Sequence, residues 1–184
     1  MVCPRCITTV EGILKEGNLP YHAVRLGEVE LKDDPTSHEL QTLNALLQKA
    51  GFEILDDRRK QQIEKIKNFL IPIVQSGNIA EHFSLIDTLT KELNKEYTQI
   101  SRLFSEVEGG LTIERFFILL KIEKTKEWLT YDELTLSEIA WKLGYSSVAH
   151  LSAQFKKVTG LTTSQFKQMG ISHRNTLDKV QKRK

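Results

Sequence analysis

Residues 136–166 read LSEIAWKLGYSSVAHLSAQFKKVTGLTTSQF, and this stretch decides the fold of the larger part of the chain. Thr135 stands where a hydroxyl can cap a helix start, and Glu138, three residues on, completes the spacing of a capping box. Ile139, Ala140 and Leu143 then give the inner face of a short helix, and Ala140 is small enough for a second helix to cross closely. Gly144 follows where the chain must turn, because without a Cβ it takes the left-handed conformation that ends a helix. A second helix is predicted from Ser146 or Ser147, carrying Leu151 and Phe155 inward. Two short helices joined this tightly form a helix-turn-helix, the geometry in which the second helix enters the major groove of DNA.

Ile139-Ala140, Leu143-Gly144-Tyr145, His150-Leu151, Phe155-Lys156-Lys157, Gly160 and Phe166 occur in that order. The series resembles the second helix-turn-helix of the AraC family of transcription regulators. A Leu-Gly turn by itself would be weak evidence, whereas this many residues in order form a specific motif. The resemblance implies a sequence-specific regulator with two helix-turn-helix units on one bridging helix, a cytoplasmic location, and duplex DNA as partner. RNA polymerase is implied as a further partner if the regulator is an activator.

The DNA contacts the resemblance implies can be placed by number. Aligned on Ile100-Ser101-Arg102-Leu103-Phe104, the reading helix of the first unit would present Thr98, Ser101 and Arg102. A guanidinium binds guanine O6 and N7 together, so Arg102 has the greatest discriminating power. Contact with a phosphate or an acid is its alternative role. In the second unit Ala149, Ser152, Ala153 and Lys156 point outward, with Ser147 at the helix start and Lys157 beside them. Two alanines limit hydrogen-bond readout and leave thymine methyls or DNA shape. Lys156, Lys157 and Lys167 are phosphate neutralisers or part of a solvated face. His150 reads as a core or backbone-bonding residue. The first unit departs from the family pattern after Phe104, where Ser105-Glu106-Val107-Glu108-Gly109-Gly110 places acids near the expected phosphates.

The chain has 184 residues, enough for one large domain or two small ones. Its net charge of +2 is unevenly spread: residues 1–57 hold five basic and ten acidic residues, and residues 58–184 hold 21 basic and 14 acidic. An acidic front and a basic back suit a sensor joined to a DNA-binding part. No apolar run approaches the length of a membrane span. No nucleophile–base pair, phosphate loop or carboxylate cluster marks an enzyme.

The predicted organisation is α+β. Residues 1–57 read helix, strand, strand, helix, strand: Ile7–Lys15, Tyr21–Leu26, Glu28–Lys32, a helix announced by Pro35-Thr36 with Glu39, and Phe52–Leu55. This is the element order of a small ferredoxin-like domain. Residues 58–171 read as an all-α double helix-turn-helix domain. Its helices are Arg58–Gln75 with Pro72 distorting the last turn, His82–Leu93, Tyr97–Val107, and a bridging Thr112–Leu129. Residues 172–184 read as a basic, fraying tail.

Cys3 and Cys6 are the only cysteines, in the run Met1-Val2-Cys3-Pro4-Arg5-Cys6. With the helix that follows, the run resembles the heavy-metal-associated domain of copper chaperones and metal pumps. That resemblance implies Cu(I) or another soft ion, and leaves a metallochaperone as the rival to a regulator. Two sulfurs suit a linear soft ion, whereas zinc would need two more ligands. The alternatives are a thiol redox switch and a pair that binds nothing. The resembled domain begins with a strand ahead of its cysteines, so the sheet is expected to lack that strand unless residues precede Met1.

Overall fold

The computed structural model describes residue 1, residues 3–55 and residues 57–169. It divides into two compact units, one ending at Asn68 and the other beginning at Phe69.

In the first unit, α1 (Pro4–Glu16) starts behind the extended Cys3 with proline at its first position, where a missing N–H costs no helical bond. It buries Val10, Ile13 and Leu14. β1 (Tyr21–Arg25) and β2 (Glu28–Leu31) pair antiparallel through Val24–Val29 and Arg25–Glu28. α2 (Ser37–Lys49) opens on the expected capping box, in which Thr36 and Glu39 satisfy each other's backbone N–H groups. Leu19, Leu43 and Leu47 complete the core with the α1 residues, and Val24, Val29 and Leu31 pack on it from the hairpin.

The strand predicted at Phe52–Leu55 is not formed. Gly51, at φ +81°, lets the end of α2 close with Phe52 N–H donating to Leu47 O and Gly51 N–H to Gln48 O. Phe52 is thereby committed to the helix cap, with its ring against the core. Among the described residues the sheet has only β1 and β2. Among the described residues the unit therefore runs helix, strand, strand, helix and the first part of a further helix, without the third strand expected at 52–55.

α3 (Arg58–Ser76) carries Pro72 within it and still runs to Ser76, one residue past the predicted end. Its first part belongs with the hairpin rather than with the helices that follow. Asn68 Nδ2 donates to Leu26 O at 3.0 Å, and Lys65 lies 3.6 Å from Glu28. The division thus falls within α3, whereas the sequence suggested it after residue 57.

The second unit is helical. α4 (Leu85–Leu93) starts later than predicted, because the Ser84 hydroxyl accepts the Asp87 N–H and fixes the helix start there. α5 (Tyr97–Val107) has the predicted bounds, and α6 (Ile113–Tyr131) is capped by Thr112. α7 (Leu136–Lys142), α8 (Val148–Thr159) and α9 (Thr163–Met169) follow among the described residues. Phe104 of α5 packs on Phe116 of α6, and Phe155 of α8 meets Phe166 of α9 edge-on. Among the described residues no helix is long and apolar enough to cross a membrane. The predicted tail at 172–184 lies outside the described residues.

Candidate nucleic-acid interface

The second helix pair is built by local chemistry. Thr135 and Glu138 form the capping box of α7, with Thr135 N–H donating to Glu138 Oε2 at 2.8 Å. These bonds to the ionised carboxylate hold Glu138 below the usual carboxylate range. Ile139, Ala140 and Leu143 are buried, as the pattern required. Gly144 turns the chain at φ +63°. Ser147 caps α8 by accepting the His150 N–H at 3.1 Å, so its hydroxyl is engaged in starting the helix. Leu151 and Phe155 then point into the core with no exposed surface.

On the outer face of α8, Ala149, Ala153, Lys156 and Lys157 are exposed and Ser152 is half-buried. The two lysines occupy the last turn, where cations also complement the negative end of the helix. Lys167 lies on α9 and pairs with Asp132, the residue that ends α6.

His150 differs from its sequence reading. It is exposed on the first turn of α8, and its Nδ1 lies 3.3 Å from the Ser146 hydroxyl. Its ring stands edge-on to Tyr145, centroids 5.3 Å apart at 88°. A histidine between two apolar residues looks internal in a linear pattern, but Leu151 takes the inward position and turns His150 outward.

In the first pair, Ile100 and Phe104 of α5 are buried. Thr98 and Arg102 are exposed on the same helix, with Ser101 half-buried between them. The spacing puts all three on one face. Arg102 is 82 % exposed at its side chain and donates from Nε to Glu106 Oε1 at 2.9 Å. The acidic run therefore has a structural reason: Glu106 holds the guanidinium one turn away, and Glu108 stands at the helix end before the left-handed Gly109 and Gly110. The Tyr97 hydroxyl donates to Glu114, tying the start of α5 to α6, and burial with that bond pushes its pKa well up.

Residues 89–169 match the family model described as a helix-turn-helix domain. A search of curated proteins returned no match. The C-terminal domain of AraT, a response regulator from Geobacillus stearothermophilus, is similar in structure, with a TM-score of 0.52 at 22% identity over 65% of this chain and 95% of that one. ToxT from Vibrio cholerae gives a TM-score of 0.49 at 14% identity over 91% of this chain and 67% of that one, too low to establish a shared fold. At such identity the AraT likeness speaks for the fold of the helix-turn-helix domain and not for what it binds.

Cys3 and Cys6 lie at the start of α1, both partly exposed, with their Sγ atoms 3.5 Å apart and no disulfide between them. Among the described residues no group of three or more histidine, cysteine or acidic side chains is arranged as metal ligands. The sequence missed the buried lysines of α6, Lys121, Lys124 and Lys126. The signal was present for Lys121, a charge one turn after Phe117 on an otherwise apolar stripe.

Proposed function

We propose that the chain is a sequence-specific, duplex-DNA-binding transcription regulator of the AraC type, acting through RNA polymerase where it activates. One observation carries this reading: two helix pairs, opened by the Ser84 and Thr135 caps, flank one long helix, α6, in the chain, and the second helix of each keeps a face exposed. Helix-turn-helix readers use that face on base edges in the major groove. Selection from a random duplex library tests it. An enriched sequence should emerge, with affinity falling steeply as salt rises, because each neutralised phosphate releases counterions. Binding no tighter than to bulk DNA would end the proposal.

Arg102 is the residue for base choice in the first unit. Arg102→Ala should relax preference at one base pair and weaken binding by about 1–3 kcal/mol. Lys157→Ala should weaken binding to every sequence alike. Equal, sequence-independent losses from both would make Arg102 a phosphate contact. Because the Arg102–Glu106 pair is exposed, either change should leave folding stability within about 0.5 kcal/mol.

The adjacent thiols favour a second element of the reading, a soft-ion sensor in the first unit. Cys3 and Cys6 would hold Cu(I) as a two-coordinate dithiolate, which supplies a charge and a crosslink at the start of α1. Reduced protein should then bind one Cu(I) per chain in competition with a chelator, and Cys3→Ser or Cys6→Ser should each remove that binding. Wild-type stoichiometry in either variant would exclude the pair as the site.

A further inference from the structure

The buried stripe of α6 includes a charge with no acidic partner among the described residues. Lys124 pairs with Glu127 at 3.0 Å, and Lys126 with Glu123 at 2.6 Å. Lys121, only 8 % exposed, does something else. Its ammonium sits over the Tyr145 ring, 3.7 Å from the centroid, with the Phe117 ring at 5.8 Å. Burial pushes its pKa down to about 8. A methionine of similar shape would fill the same space without placing a charge there, so a purely structural account leaves the lysine unexplained.

Tyr145 gives the charge something to do. It lies just before the Ser147 cap of α8 and is itself buried. Its hydroxyl donates to Gln154 Oε1 at 2.6 Å, partway along α8. Its ring also meets the edge of His150 on the first turn. One side chain thus touches the reading helix at two points along its length. A cation held over a ring face fixes where that ring can lie, because the attraction is strongest near the centroid. The α8 readers Ala149 and Ala153 offer methyl contacts, whose dispersion energy falls steeply with small displacements. Their usefulness depends on how α8 is seated.

We infer that Lys121, acting through Tyr145, sets the seating of α8 on α6 and is a positioning residue for base selection by the second helix-turn-helix unit. The inference rests on the DNA-binding reading above, and its test separates the two. In the full chain, Lys121→Met should lower the ratio of affinity for the selected duplex to affinity for a random duplex by about tenfold. Lys121→Arg should keep the ratio within about threefold, since a guanidinium also stacks on a tyrosine face. Tyr145→Phe, which retains the ring and loses the bond to Gln154, should fall between them. Without DNA, amide hydrogen exchange along α8 should quicken in Lys121→Met and stay at the wild-type rate in Lys121→Arg. Unchanged selectivity and unchanged α8 protection in Lys121→Met overturn the inference. Equal losses in the methionine and arginine variants overturn it too, because only the shape of the lysine would then matter. Should the wild-type protein select no sequence, the DNA-binding reading fails, and α8 exchange in the two variants still decides whether Lys121 seats the helix.

Discussion

Gly144→Ala is expected to destabilise the helical unit by about 3 kcal/mol, two effects adding at one residue. The first is conformational: Gly144 sits at φ +63°, and an L side chain there costs about 1–2 kcal/mol. The second is steric. A Cβ would lie 2.7 Å from Ala80 O, and 3.0 Å from both Ile79 O and Ile79 Cγ2. That neighbour cannot simply withdraw, because Ile79 N–H donates to Lys142 O at 2.9 Å and Ile79 bridges Leu143 in parallel. The clash is with backbone that the turn itself holds in place. Gly160→Ala is the control: φ is +78°, yet nothing lies within 4 Å of its Cβ, so only the conformational cost of about 1–2 kcal/mol should appear. Urea unfolding of both variants measures the difference. Equal losses would mean that the 79–80 segment gives way freely.

Gly144 also marks how far the sequence could be read. That it must turn left-handed follows from its neighbours, and so do the capping box at Thr135 and Glu138 and the inward Leu151 and Phe155. All depend on interactions within a few residues, where spacing determines partners. The crowding at Gly144 comes from Ile79 and Ala80, which no local pattern connects to it. The N-terminal unit follows the same division. Its hairpin and the Thr36–Glu39 box are local and were legible, whereas the strand expected at Phe52–Leu55 needed a partner that sequence could not supply, and the cap of α2 claimed Phe52 instead. At the candidate interface the exposed positions of α5 and α8 were legible from helical spacing. The pairing of Arg102 with Glu106 is an i,i+4 contact, one of the roles the sequence leaves open for Arg102. The place of Lys121 on a buried stripe was legible, but its contact with the Tyr145 ring was not, because no local pattern connects the two residues.

Lys121→Met is expected to make the folded chain more stable at neutral pH, by about 1–3 kcal/mol. Burial alone lowers the Lys121 pKa to about 8, against an ordinary 10.5. A gap of that size corresponds to about 3–4 kcal/mol of penalty on the charged form, at about 1.4 kcal/mol per pH unit. Contact with the Tyr145 face returns about 1–2 kcal/mol of it, and methionine forgoes that contact. The direction with pH follows from proton binding. Between pH 8 and 10.5 the unfolded chain holds the proton and the folded chain has released it, so wild-type stability at this group rises with pH through that window. Below pH 8 both states are protonated and the penalty is present in full. Above 10.5 both are neutral and it is gone. The advantage of Lys121→Met should therefore be constant up to about pH 8 and shrink steadily toward pH 10.5. Urea titrations of both proteins at pH 7 and pH 10 measure it, read as the difference between their unfolding free energies. A difference that does not change between those two values, or a methionine variant that is less stable at pH 7, would show that the lysine is not held at a cost. A variant that gains stability while losing base selectivity would identify Lys121 as a charge kept for function at the expense of the fold.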